Sequence, residues 1–298
     1  MEFLINKNYK FIEDRRKAYV LSGVLITLSI LLFAFKGLNY GVDFLGGSSL
    51  EVRFKSPVEL DEVRRVVATK YTADRIQNFG ASNDVLIHVV EQNEQVKNGL
   101  VALLRQNFTN NSIEERSFNQ VGPKIGDELK SAALWATLWG LAFIVVYLAI
   151  RFHWKWGLAA VVALGHDVTI TIGLFVLLQL EFSLATVAAL LTIVGYSVND
   201  TIVVFDRIRE NLRLLKRGVT FEDIINKSVN ETLSRTVMTS ALTMLSVLVL
   251  LFMGGEVLRP FAWALLTGII VGTYSSIYVA SPILIEWSAG EDARKSIK

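Results

Sequence analysis

Asp200 is a carboxylate inside a stretch built for hydrocarbon. From Phe182 to Phe205 the chain is apolar and long enough to cross a bilayer as one helix, yet Asn199 and Asp200 interrupt it before charge begins in earnest at Asp206. An ionised carboxylate at that depth costs at least ~2.5 kcal/mol, so a chain that keeps one has a use for it. One use is to move an ion or a substrate; the other is a packing contact satisfied by a neighbouring helix. Arg235 is the matching charge. It opens a stripe with Thr239, Thr243 and Ser246 along one face of the next apolar run. The two runs are consecutive and antiparallel, and Asp200 and Arg235 fall near the same ends of them, so an ion pair is feasible. The alternative for Arg235 is a head that snorkels to the interface. His166-Asp167 interrupts a third apolar run near its middle. That pair serves either as a proton relay or as a satisfied structural contact.

The rest of the composition narrows the chemistry. There is no Cys, so disulfides and thiolate metal sites are excluded. The chain has three His and no HExxH-like pair, which argues against a metalloenzyme. A phosphate-binding GxxxxGK[ST] loop is absent, and so is a GxSxG nucleophile elbow. We therefore expect a protein that is not an enzyme, binds no cofactor and no metal, and draws its energy from a partner or an ion gradient. The net charge of +2 says little about partners.

The elements that must position these residues follow from hydropathy and periodicity. Residues 1–18 are polar and basic, with Lys7, Lys10, Arg15, Arg16 and Lys17. Tyr19 to Phe35 is an apolar run read as a retained first membrane helix over 19–36. Its end, Phe35-Lys36-Gly37, is no small-x-small cleavage site. Residues 37–130 have soluble character. Ser48 to Phe54 alternates as a strand, Val58 to Lys70 is amphipathic, and Asp74 to Phe79 and Asp84 to Val90 are strands joined at Gly80-Ala81-Ser82-Asn83. Glu94 to Phe108 is a second amphipathic helix, and Ile113 to Val121 a closing strand. The order βαββαβ fits a ferredoxin-like domain over 42–122, one four-stranded sheet covered on one face by two helices. Val52, Val63, Val66, Ile76, Ile87, Val89, Leu100 and Leu103 are its expected core.

Further apolar runs at Ala132–Ile150, Trp156–Leu180, Leu233–Met253 and Pro260–Ile285 bring the spans to six. The spacing predicts an amphipathic interfacial helix over Arg207, Arg209, Arg213, Lys216 and Arg217, stopped at Gly218. A separate short helix follows it, capped by Thr220, so that 206–232 lies on the cytoplasmic side. Gly165, Thr169 and Gly173, and the pair Gly268 and Gly272, are small-residue faces suited to close helix contact. Basic residues crowd the amino terminus, the 151–155 turn, the 207–217 segment and the tail at 288–298 with Arg294, Lys295 and Lys298. The positive-inside rule then puts both termini in the cytoplasm and 37–130 outside. The expected fold is a polytopic α-helical membrane protein with six transmembrane helices and a ferredoxin-like domain between the first two.

Several motifs resemble a known family. They are Gly41 to Gly47 (GVDFLGG), with Asp43, Gly46 and Gly47, just after the first span, Val121-Gly122-Pro123, His166-Asp167, Val194 to Asn211, Glu231 to Ser240 and Gly272 to Ile277 (GTYSSI). Together they are similar to the SecD/SecF family of protein translocase subunits, within the resistance-nodulation-division superfamily, and they spread over nearly the whole chain. The resemblance implies a multi-pass protein of the bacterial cytoplasmic (inner) membrane, set among membrane lipid, with residues 37–130 periplasmic. It implies work with SecD, the SecYEG channel and the SecA motor on exported polypeptides, powered by the proton-motive force, and no dealings with nucleic acid. It implies that Asp200 and Arg235 lie on the proton path, with Asn199, His166, Asp167, Thr239, Thr243 and Ser246 as candidates for the same path or for structure. Asp43 reads better as a turn residue leading into a strand than as a proton carrier. Burial disfavours a charged carboxylate and a nearby Arg favours it. At ~4 Å and an effective dielectric of ~20 that attraction is about 4 kcal/mol, so one contact made or broken would load or unload Asp200, with the Thr239, Thr243, Ser246 stripe as a water path. A competing expectation is half of a proton-driven exporter of small molecules or lipids, but the outer domain is small for a porter. A passive anchor is the third, and it leaves Asp200 unexplained.

Overall fold

A computed structural model describes residues 9–79, 81–93, 95–214 and 219–288. Lys7, Gly80, Glu94, Lys216, Arg217, Gly218 and the tail with Arg294, Lys295 and Lys298 lie outside the described residues. In chain order the elements are α1 (Arg15–Lys36), β1 (Asn39–Tyr40), α2 (Val42–Leu45), β2 (Gly47–Phe54), α3 (Leu60–Ala68), β3 (Ala73–Phe79), β4 (Ala81–Val89) and α4 (Val96–Asn107). Then come β5 (Ile113–Val121), α5 (Pro123–Arg151), α6 (Trp154–Leu178), β6 (Glu181–Phe182), α7 (Leu184–Arg213), α8 (Phe221–Met253), α9 (Arg259–Ser275), a π-helical stretch over Ser276–Ala280, and α10 (Ser281–Ser288). The chain divides into two compact units: Tyr40–Trp135 with Glu181–Leu184, and the remainder.

The first of these is the sheet unit. Strand order β3-β4-β2-β5, all pairs antiparallel, with α3 and α4 as the crossovers, is the ferredoxin-like arrangement expected from the βαββαβ pattern. Alternation along β2 turns Leu50, Val52 and Phe54 to one face, where they meet Val63 and Val67 of α3 and Leu100 and Leu104 of α4. Val52, Val63, Ile76, Ile87, Val89 and Leu100 are buried in this core, and Val66 packs against it half-buried. Leu103 does not join them. It is half-buried, and Val101 and Leu104 take the inward positions of α4. Ala81 to Asn83 of the expected turn belong to β4, which pairs from Ala81 onward with β3.

The helical unit supplies the membrane part. Six helices are long and apolar enough to cross a bilayer: Arg15–Lys36, Ile125–Arg151, Trp154–Leu178, Leu184–Arg213, Phe221–Met253 and Arg259–Trp287. Two boundaries differ from expectation. The basic segment after Asp206 is no separate interfacial helix; α7 continues without a break to Arg213. Likewise Thr220 caps not a short helix but the whole of α8. It forms a reciprocal capping box with Asp223, whose N–H donates to Thr220 Oγ1 at 3.1 Å while Thr220 N–H donates to Asp223 Oδ2 at 3.1 Å. The reason is local. Charge ends an apolar run, but only Gly, Pro or a cap ends a helix, and residues 221–253 contain neither Gly nor Pro.

The extended ends of α7 and α8 are held by charge and aromatic packing. Arg151 pairs with Asp206 at 2.5 Å, Arg207 with Glu231 at 2.7 Å, and Arg15 with Glu222 at 3.0 Å. Beneath them Phe152, Trp156 and Phe205 form an aromatic cluster, with Phe205 edge-on to both other rings. Small residues allow the closest helix approaches. A Cβ on Gly268 would overlap Ile193, and one on Gly173 would overlap Ser29. Gly165 meets nothing within 4 Å, so the expected small face of α6 is used at Gly173 only.

Candidate functional site

Asp200 sits on the buried face of α7 at 2 % exposure, and its Oδ2 accepts no hydrogen bond among the described residues. Ser240 of α8 is within hydrogen-bonding reach of the Asp200 carboxylate. Its Oγ also stands 2.7 Å from Thr273 Oγ1 and accepts from Tyr196 Oη at 3.2 Å. Arg235, on α8, is near enough for its charge to act on the Asp200 carboxylate, but among the described residues no ion pair joins them. The guanidinium is exposed.

The stripe that begins at Arg235 faces out of the chain. Thr239 and Ser246 are exposed and Thr243 is half-buried. Their hydroxyls donate to carbonyls four residues back: Thr239 to Arg235 at 3.0 Å, Thr243 to Thr239 at 2.9 Å, and Ser246 to Leu242 at 3.4 Å. Such back-bonding satisfies each hydroxyl without any neighbouring helix. The stripe expected as a water path therefore lies on an outward face of α8 in this chain. Asn199 is also exposed. With Ala185, Ala188, Thr192 and Gly195 it forms a small, polar outward face on α7.

His166 and Asp167 form the centre of a second buried cluster, and both are almost wholly inaccessible. Asp167 Oδ1 lies 2.8 Å from His166 Nδ1. Its Oδ2 accepts from Ser197 of α7 at 2.5 Å and from Ser275 of α9 at 2.7 Å. His166 Nε2 is 3.1 Å from Ser22 Oγ of α1, which meets Tyr274 Oη at 3.1 Å, and Tyr274 donates to the Ala18 carbonyl at 2.9 Å. The Ser22 hydroxyl bridges the His166 ring to Tyr274, whose own proton goes to that carbonyl. One polar chain thus links α1, α6, α7 and α9. Ser22 and Ser197 join this buried cluster without a signal in the sequence, whereas Ser275 lies in the GTYSSI segment, which does not say which of its serines faces inward.

The glycine-rich segment belongs to the sheet unit. Gly46 and Gly47 have φ of 72° and 104°, a region that side chains disfavour, and a Cβ on Gly47 would stand 2.6 Å from the Val89 carbonyl oxygen. His88 Nε2–H donates to the Gly46 carbonyl at 3.0 Å, a packing role for that strand histidine. Asp43 is not a simple lead-in to a strand. It lies in the short helix α2, and its Oδ2 accepts the N–H of Leu184, the first residue of α7, at 2.9 Å.

Among the described residues no group of His, Cys, Asp and Glu is arranged to hold a metal. The arrangement instead offers two buried carboxylates in very different settings. Asp167 takes two serine donors and lies against His166, while Asp200 has an oxygen without a donor among the described residues, and Arg235, whose charge acts on it, is an exposed residue.

Comparison with known proteins accords with this architecture. Residues 101–290 match the family model of the protein export membrane protein SecD/SecF, C-terminal part, and residues 31–58 match the SecD/SecF GG motif. The chain is 44% identical to the protein translocase subunit SecF of Rhodothermus marinus, over 100% of this chain and 99% of that protein. It is 41% identical to the protein translocase subunit SecDF of Thermus thermophilus, over 99% of this chain but 41% of that protein. The crystal structure of SecDF from Thermus thermophilus, described as a translocon-associated membrane protein, superposes with a TM-score of 0.87 at 41% identity, covering 97% of this chain. The chain spans 40% of the length of that solved chain. It belongs to the SecD/SecF family of protein export membrane proteins.

Proposed function

We propose that this chain is the SecF-type subunit of the Sec protein-export machinery, paired with a SecD-type subunit and driven by the proton-motive force. The observation that carries the reading is the buried Oδ2 of Asp200 with no donor, beside an Arg235 that faces outward. A carboxylate so placed changes state with its surroundings. It is costly when charged and alone, and relieved by a proton or by an approaching guanidinium. Arg235 moving toward or away from Asp200 then decides whether the proton stays. Each charge that crosses the field supplies about 2.3 kcal/mol per 100 mV, enough to bias such a movement.

The SecD partner is supported by the fused relatives, in which a chain like this one accounts for 41% of the length. An outward Arg with three hydroxyls on α8, and the Ala, Thr, Gly and Asn face of α7, are poor surfaces for lipid and good ones for another helix. We place the SecD-type membrane helices there. SecYEG and SecA are the further partners, and the cargo is exported polypeptide. Basic residues at Arg151, Lys155, Arg207, Arg209 and Arg213 support an orientation in the cytoplasmic membrane with both termini inside and the sheet unit periplasmic. No cofactor is required beyond the gradient.

The test is export of a secreted precursor into vesicles carrying the complex, with and without a proton gradient. Asp200→Asn, which cannot cycle a charge, is expected to assemble and to lose the gradient-dependent part. Full stimulation in that variant would refute the proton role of Asp200.

A further inference from the structure

A helix that moves with a proton needs something to push against. The first N–H groups of an α-helix have no partner within it, and a carboxylate there is favoured by both hydrogen bonding and the helix dipole. In α7 the N–H of Leu184 is met by a carboxylate 141 residues away in sequence, Asp43 of the glycine-rich segment, at 2.9 Å.

That bond is one of several ties between the same two segments. Gly41 N–H donates to the Phe182 carbonyl at 3.0 Å, in the short β1–β6 pairing. The Phe44 and Phe182 rings stack with centroids 5.9 Å apart, and Tyr40 stands edge-on to both, at 6.1 and 6.0 Å. Gly41 lies close against the same clamp, where a Cβ would displace the Glu181 carboxylate. On its other side, the segment is fixed to the sheet by the Gly46 and Gly47 turn and by His88. Residues 181–184 accordingly form part of the sheet unit, and from Leu184 the chain runs on as the helix that carries Asp200 about 24 Å further along, at ~1.5 Å per residue.

We propose that Asp43 is a positioning residue for proton-driven export: it holds the start of α7 to the sheet unit, so that displacement of the Asp200 helix along its axis is passed to that unit. The inference rests on the proton reading of Asp200. The polar tie has a specific chemical requirement, an acceptor oxygen at the Oδ2 position, which Asn can supply and Ala cannot.

The experiment uses the full chain with its SecD-type partner in vesicles and compares Asp43→Ala, Asp43→Asn and Asp200→Asn. Two quantities are read: amide exchange over residues 183–187, and export with and without a proton gradient. Asp43→Ala is expected to speed exchange at Leu184 and its neighbours tenfold or more and to remove most of the gradient-dependent export. Asp43→Asn is expected to restore both. Rescue by Asn separates loss of the acceptor from general misfolding. Normal exchange at Leu184 in Asp43→Ala would overturn the proposal, as would an Asn variant as defective as Ala. Full gradient stimulation in Asp43→Ala, with Asp200→Asn inactive, would overturn it while leaving the proton role of Asp200 intact. If Asp200→Asn itself kept full stimulation, the proton reading would fail, and the exchange data alone would decide whether Asp43 holds the helix start.

Discussion

Ser197 donates to Asp167 at 2.5 Å, and Ser197 stands three residues before Asp200 on the same helix. The contact fixes the rotation and height of α7 against α6, and with them the position of Asp200. Ser275 holds the same oxygen from α9. Removing one donor from a buried carboxylate costs about 1.5–3 kcal/mol, so Ser197→Ala should lower the thermal unfolding midpoint in detergent measurably without preventing insertion. Asp167→Leu strands His166 and two serine hydroxyls at once, and should reduce accumulation of the folded chain far more. Equal stability of Ser197→Ala and the parent would show that this contact does not hold α7.

Gly268 offers a packing test one turn earlier on the same face of α7. A Cβ there would overlap the Ile193 side chain. Overpacking of this kind costs about 1–3 kcal/mol. Gly268→Ala should therefore destabilise, and Ile193→Ala in the same chain should give back part of the loss, because the two positions share one space. Thermal unfolding of the two single variants and the double variant closes the cycle. Simple additivity would mean that α9 and α7 are not in contact at this point.

How much of this was legible depends on the range of the interaction. The βαββαβ order follows from alternation and helical spacing, both local, and the six spans follow from apolar runs. The ends of α7 and α8 were misplaced because hydropathy stops at Asp206 and resumes at Leu233, whereas backbone hydrogen bonding takes no notice of side-chain charge. Leu103 was assigned inward because Leu103 and Leu104 compete for one face, and a single residue decides which wins. Asp200 was conspicuous for its apolar neighbours. The serines around His166 and Asp167 were not, since Ser22, Ser197 and Ser275 are ordinary residues on three separate helices, and only the packing shows which hydroxyl points where. The same holds for Asp43, whose partner lies 141 positions away.

Glu181 gives a pH-dependent prediction outside the spans. Burial foremost, and the Asp43 carboxylate next, push its carboxyl above the ordinary value of 4.5, with Arg75 opposing them. A carboxyl that holds its proton more tightly when folded contributes stability that is full below the unfolded value and is lost as pH rises through the folded one. The 181–184 segment should therefore be held more tightly near pH 4 than near pH 7, as judged by amide exchange corrected for its intrinsic pH dependence. Glu181→Gln should increase protection near pH 7 and make little difference near pH 4. Greater protection of the parent at the higher pH would contradict the sign.

Arg235 supplies the last prediction, which concerns the partner. The natural chain has no Cys, so a single introduced thiol reports one position only. In this chain alone Thr239 and Ser246 face outward on α8, as Asn199 does on α7. On the lipid side, Phe143 of α5 is equally exposed, at 68 %. If a SecD-type subunit packs against the polar faces of α7 and α8, thiols at Asn199, Thr239 and Ser246 should react with a membrane-permeant maleimide when the chain is expressed alone. They should be largely protected when the partner is co-expressed, while Phe143→Cys reacts equally in both. Burying Arg235 in that interface also changes its options. Outside the complex its head can reach the interface; inside it, the guanidinium must find an acidic partner or pay the cost of an unpaired charge. Asp200, with its unsatisfied Oδ2, is the acceptor within its own chain. The protection pattern therefore tests the same geometry that would deliver Arg235 to Asp200. Undiminished labelling at Thr239 and Ser246 in the co-expressed complex would place the partner elsewhere and leave Arg235 facing lipid.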